Sequence, residues 1–134
     1  MMAERMIRTH GWDVLFYFYL GPEDLGDVMD GMRWVDAPRG IVSTVTDKIL
    51  ARRLNEGFTY SNPRLRRTVF AIGDTSSGPE VLDSTVHEII HIVQHIAQKD
   101  GLDPFGEPVA YLGGHISRAI SDIVCELSCP HCNA

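Results

Sequence analysis

Three histidines stand at a four-residue step in the stretch STVHEIIHIVQHIAQKDG: His87, His91 and His95, with Glu88 directly after the first. On a helix, residues four apart share one face about 6 Å apart. His87 and His91 can then each direct a ring nitrogen at a single Zn²⁺, at about 2.0–2.1 Å. Glu88 lies about 100° further round, where it can reach a zinc-bound water without ligating the ion. Two ligands and a general base from one turn of helix make up the HExxH arrangement. His95 is two turns beyond His87, about 12 Å along the axis, so it cannot share the same ion with it. A His91–His95 pair would carry Ile92 where the base should stand, so His95 is expected beside the site or at the surface.

A catalytic zinc usually takes three protein ligands and keeps a fourth position for water. The downstream stretch DPFGEPVAYLGGHI offers Glu107 at the start of a further helix, with Tyr111 and His115 following at steps of four. These three form one stripe, expected to oppose the histidine helix. Ala110 is small enough for two helices to approach closely. Tyr111 and His115 would be donors for the oxyanion of a tetrahedral intermediate, or, equally, a packing phenol and a solvent-facing imidazole.

HEIIH followed by EPVA resembles the zincin metallopeptidases, in the gluzincin pattern where a downstream helix supplies a glutamate in an ExxA or ExxD setting. The resemblance implies His87, His91 and Glu107 as zinc ligands and Glu88 as the base. The longer run from FTYSNP through HEIIH to GEPVAYLGG also resembles small uncharacterised proteins of bacteriophages and gut bacteria. In zincins an edge strand before the active-site helix pairs with an extended peptide. By that likeness a peptide or protein substrate would pair along Thr68–Gly73, through β-augmentation.

The remaining elements must position these groups. GWDVLFYFYLG reads as a buried strand over about 12–20, being rich in aromatic and β-branched residues. Pro22 opens a short helix with acidic residues behind it. IVSTVTDKILARRLNEG places Val42, Val45, Ile49 and Leu50 on one helical face, with Gly57 as its stop. FTYSNPRLRRTVFAIG predicts a strand, a turn at Asn62–Pro63 and a second strand ending near Gly73. DTSSGPE reads as a loop, followed by helices over about 82–100 and 107–127. The order strand, helix, helix, hairpin, helix, helix predicts an α+β fold, a small antiparallel or mixed sheet packed against helices as a minimal zincin-like core. One domain over 1–127 is expected, with a short cysteine-containing tail over 128–134.

The totals restrict function. A formal net charge of -6 disfavours a nucleic-acid surface, and Arg52, Arg53, Arg64, Arg66 and Arg67 read as a solvated face. No run approaches the eighteen or so apolar residues of a membrane span, and the N-terminus lacks signal-peptide architecture, so a cytoplasmic location is expected. Cys125, Cys129 and Cys132 crowd the last ten residues, which is no disulfide framework. CPHC follows a helix instead of opening one, against redox chemistry. A second zinc on Cys125, Cys129, His131 and Cys132 would strain the adjacent His131 and Cys132, and free thiols are the simpler reading.

Two metal-dependent function classes remain, beside an amphipathic helical domain without metal. One is a zinc-dependent hydrolase, a minimal metallopeptidase. The other is a non-catalytic accessory protein of phage type, stabilised by a structural zinc.

Overall fold

The computed structural model describes residues 2–74 and 77–128. Cys129, His131 and Cys132, the tail residues considered for a second zinc, lie outside the described residues. Four strands and five helices follow one another as β1 (Ala3–Thr9), β2 (Trp12–Leu20), α1 (Leu25–Trp34), α2 (Arg39–Leu50), β3 (Phe58–Asn62), β4 (Arg67–Gly73), α3 (Gly78–Asp100), α4 (Glu107–Ala119) and α5 (Ser121–Ser128). A 3₁₀ turn over Pro22–Asp24 leads into α1. The fold is α+β, as expected, and the sheet is mixed: its order is β1-β2-β4-β3, with β2 and β4 parallel and the two outer pairs antiparallel.

β2 and β4 are the central strands, and both of their faces are covered. Trp12, Val14, Phe16, Phe18, Phe70 and Ile72 pack with α3, α4 and α5. Leu15, Tyr17, Val69 and Ala71 pack with α1 and α2. Burial on both sides explains why WDVLFYFYL is apolar almost without interruption. Ile92 of α3 is fully buried in the first of these cores. Ile92→Ala should cost about 2–5 kcal/mol by leaving a cavity under the histidine helix, read as a lowered midpoint in urea unfolding.

Five expectations are corrected. β1 was not foreseen: exposed Glu4, Met6 and Arg8 alternate with half-buried Ala3, Arg5 and Ile7, and Arg5 bonds Asp122 (2.7 and 2.9 Å) and the Ala119 carbonyl (2.9 Å). The turn joining it to β2 is His10–Gly11, with φ of 50° and 77°, the left-handed pair that a two-residue hairpin requires.

The second correction concerns α2, which stops at Leu50 and leaves that residue exposed. Residues 51–57 are a loop, and Gly57 (φ 82°) turns the chain into β3 rather than capping α2. Third, α3 starts at Gly78, four residues earlier than expected. Ser77 accepts from the Glu80 amide and the Glu80 carboxylate accepts from the Ser77 amide, a capping box with Pro79 in the first turn. The helix expected over 107–127 is divided into α4 and α5 at Ile120.

The fifth correction bears on substrate. Thr68–Gly73 belongs to β4, which is bonded on both sides, to β2 and to β3. It has no free edge. The edge strand on that side of the sheet is β3.

Candidate metal centre on helix α3

α3 carries the HExxH stretch in its middle, held between the capping box at Ser77 and a left-handed Gly101 (φ 68°) at its C-terminal end. Glycine there relieves the strain that another residue would meet. The Nε2 atoms of His87 and His91 lie 3.1 Å apart. Two zinc–nitrogen bonds of about 2.05 Å at a tetrahedral angle place their nitrogens about 3.3 Å apart. The spacing matches two corners of one zinc site, and it matches equally an N–H···N hydrogen bond between the two rings. His87 is exposed and His91 half-buried, so an ion could enter from solvent.

His95 stacks near His91, with ring centroids 6.3 Å apart. Its Nδ1 lies 2.6 Å from Ser61 Oγ, which lies 2.8 Å from Thr68 Oγ1. This chain ties α3 to β3 and β4. Burial, and then the neighbouring His91, hold the His95 imidazole below its ordinary pKa, while the charge of Glu88 works in the opposite direction. The neutral form that results suits an imidazole sharing a hydrogen bond with a hydroxyl.

Glu88 is only 6% exposed. It is covered by the loop after α2, which is fastened to α3 by a hydrogen bond from Ser84 Oγ to the Asn55 carbonyl (2.9 Å). A Cβ added at Gly57 would stand 2.9 Å from Glu88 Cγ and 3.5 Å from its Cδ and Oε1. Gly57→Ala should therefore act twice. The left-handed backbone makes it costly by about 1–2 kcal/mol, and the methyl displaces Glu88. A lower midpoint in urea unfolding is the expected result. An unchanged midpoint would mean that the loop and Glu88 yield to the methyl without strain.

Glu107 is not brought to the histidine pair. α3 and α4 are joined by a short loop and run antiparallel, and a Cβ at Gly113 would lie 3.9 Å from Val93 Cγ2. Val93 thus marks the side of α3 that meets α4. At about 100° per residue His91 is turned about 160° away from that side. Glu107, six residues before Gly113, is also displaced about 9 Å toward the C-terminal end of α3. Among the described residues, no three His, Cys, Asp or Glu side chains are assembled to hold a metal ion.

The rest of the expected stripe is exposed too. Tyr111 is 74% exposed, and with His115 it borders a shallow hollow shared with Arg8, Thr9, His10 and Pro108. Neither His87 nor His91 borders that hollow. α4 buries Leu112 and Ile116 instead, which is the face that its amphipathic pattern assigns to the core.

Two carboxylates do stand beside His87. Glu56, Asp83 and Ser84 line a hollow of about 220 Å³ with it. Asp83 lies four residues before His87 and was legible as the first member of the stripe Asp83–His87–His91–His95. Glu56 had no local signal, because its position depends on the loop folding back over α3. A second hollow, of about 310 Å³, is lined by Ser61, Pro63, His95, Gln98 and Lys99. The histidine stripe thus runs between two shallow depressions.

Cys125 is exposed on α5. Among the described residues no helix is long and apolar enough to cross a membrane. No protein-family model matches this chain, and neither a curated protein nor a solved structure matches it.

Proposed function

We propose that the chain is a zinc-dependent hydrolase, a minimal metallopeptidase whose metal is held by His87 and His91. The observation that carries this reading is the 3.1 Å separation of the two Nε2 atoms. Zinc, when bound, would acidify a water and polarise a carbonyl. The work of the chain is done by its own groups. Glu88 accepts the proton of the attacking water and passes it to the leaving amine. Its burial excludes competing solvent and fixes its rotamer against Gly57. Ser61 orients His95 behind the pair.

The resemblance would add Glu107 as third ligand and Tyr111 or His115 as oxyanion donors. The face of α3 on which the histidines stand favours Glu56 for the remaining carboxylate, since Asp83 lies two helical turns from His91. An extended peptide would pair along the free edge of β3 (Phe58–Asn62), the strand that bears Ser61, rather than along Thr68–Gly73.

One observation favours the second reading, a non-catalytic accessory protein of phage type with a structural zinc. Glu88 is packed beneath a loop, the position of a group that supports a ligand histidine from behind. Zinc-loaded protein and a mixture of quenched fluorescent peptides decide between them. Cleavage that disappears in Glu88→Gln supports the hydrolase. No cleavage by the wild type, with weaker zinc binding in Glu88→Gln, overturns it in favour of the structural site.

A further inference from the structure

At the edge of the sheet opposite β3, β1 is bonded only to β2. Its register shows which backbone groups are left over. The hairpin closes on Thr9 and Trp12 around a two-residue turn, so that pair exchanges hydrogen bonds. Bonded pairs then recur at every second residue: Ile7 with Val14, Arg5 with Phe16 and Ala3 with Phe18. Asp13 confirms the phase, since its amide turns the other way and bonds the Arg66 carbonyl (3.0 Å). The N–H and C=O groups of Glu4, Met6 and Arg8 therefore point out of the sheet at its edge. Among the described residues, no loop, turn or further strand bonds them.

Natural proteins blunt such edges with proline, bulges or charge. β1 has no proline and pairs with β2 without a register shift. Its exposed charges are of opposite sign and stand evenly on either side of Met6, which is 49% exposed. Glu4, Met6 and Arg8 share one face of the strand, and Arg8 is kept there by Asp13 (3.1 and 3.2 Å). A hollow of about 410 Å³ separates β1 from α1 on this face, bordered by Met6, Leu15, Asp30 and Trp34. Arg5, on the other face, is already paired with Asp122.

We propose that the β1 edge is a homodimer interface, at which a second copy of the chain adds its own β1 antiparallel about a two-fold axis through Met6. Only residues whose backbone groups point outward can exchange bonds, which restricts the register. Met6 opposite the partner's Met6 sets Glu4 opposite the partner's Arg8 and Arg8 opposite the partner's Glu4. Every outward residue is then bonded, and each charge faces its opposite. Centring on Glu4, Arg5 or Arg8 instead sets like charges against one another, and centring on Ile7 moves Glu4 beyond the end of the partner's strand. A contact of this two-fold kind joins two copies and stops. The result is one sheet of eight strands with a β3 edge open at each end. The inference does not rest on the zinc reading, since β1 carries none of the proposed ligands.

The test is sedimentation equilibrium of the full chain over a dilution series, where a monomer–dimer equilibrium is expected. Met6→Pro should abolish the dimer and leave the monomer folded, because the amide it removes points outward and bonds nothing within the chain. Glu4→Arg and Arg8→Glu should each weaken self-association about tenfold or more, since each sets like charges opposite one another twice. Mixed together, these two variants should form a heterodimer about as tightly as the wild type associates, because every facing pair is again of opposite sign. Circular dichroism checks that each variant is folded. The proposal is overturned if the wild type is a monomer throughout the series, or if the mixed variants associate no better than each does alone. It is also overturned if the dimer survives Met6→Pro, which would place the contact at the β3 edge or elsewhere on the surface.

Discussion

His91→Ala is expected to lower zinc affinity by more than about 100-fold while the metal-free chain stays folded. The reasoning is geometric. Its Nε2 is half of the pair 3.1 Å apart, and a single remaining histidine on an exposed helix face is a weak site. Loss of a group that merely supports a ligand costs about 10–100-fold, so loss of the ligand itself should exceed that range. His91 is only half-buried, and its ring packs against His87 and His95 instead of the sheet. The fold should therefore survive its removal. Isothermal titration of zinc into wild type and variant measures the effect, with circular dichroism as the check on folding. Equal affinity in the two proteins would remove His91 from the site.

Glu88→Gln is expected to reduce peptide hydrolysis by about 10²–10⁴-fold, the usual contribution of a positioned general base. Glutamine has nearly the same shape, so packing against Gly57 is kept and zinc content should be unchanged. The substitution also has a signature that does not depend on activity. The negative charge of Glu88 raises the His95 pKa against the lowering by burial and by His91. Removing that charge should lower it further, so His95 in metal-free Glu88→Gln should take up its proton at more acidic pH than in the wild type. Proton NMR of the imidazole resonances measures this. A His95 titration that moves upward, or not at all, would mean that Glu88 is not aimed at the histidine stripe.

The legible part of the molecule was what periodicity controls. The apolar run of β2, the turn at Asn62–Pro63 and the histidine spacing are local facts, and each is found in the fold. The i, i+4 step placed His87 and His91 on one face because helix geometry leaves no other outcome. β1 was illegible for the opposite reason. In an edge strand whose outer face is wet, Arg5 and Met6 occupy positions where an apolar-polar alternation would be reversed, and Arg5 is satisfied only by Asp122, far along the chain.

The candidate site divides along the same line. Which face of α3 meets α4 is decided by the packing of Val93, Ile96, Leu112 and Ile116 together, and no single helix pattern states it. The stripe Glu107–Tyr111–His115 is real as a stripe, yet it lies on the exposed side of α4. Glu56 and Gly57 enter through a loop whose course depends on Leu54 being buried and on the hydrogen bond between Asn55 and Ser84.

The most direct test of the central claim is the zinc content of untagged wild-type protein, measured by mass spectrometry beside Glu107→Ala. About one zinc per chain is expected in both, since the proposed ligands His87 and His91 stand on the side of α3 that faces away from Glu107. A well-folded wild type without zinc would contradict it, and the HEIIH stretch would then be an ordinary helix face.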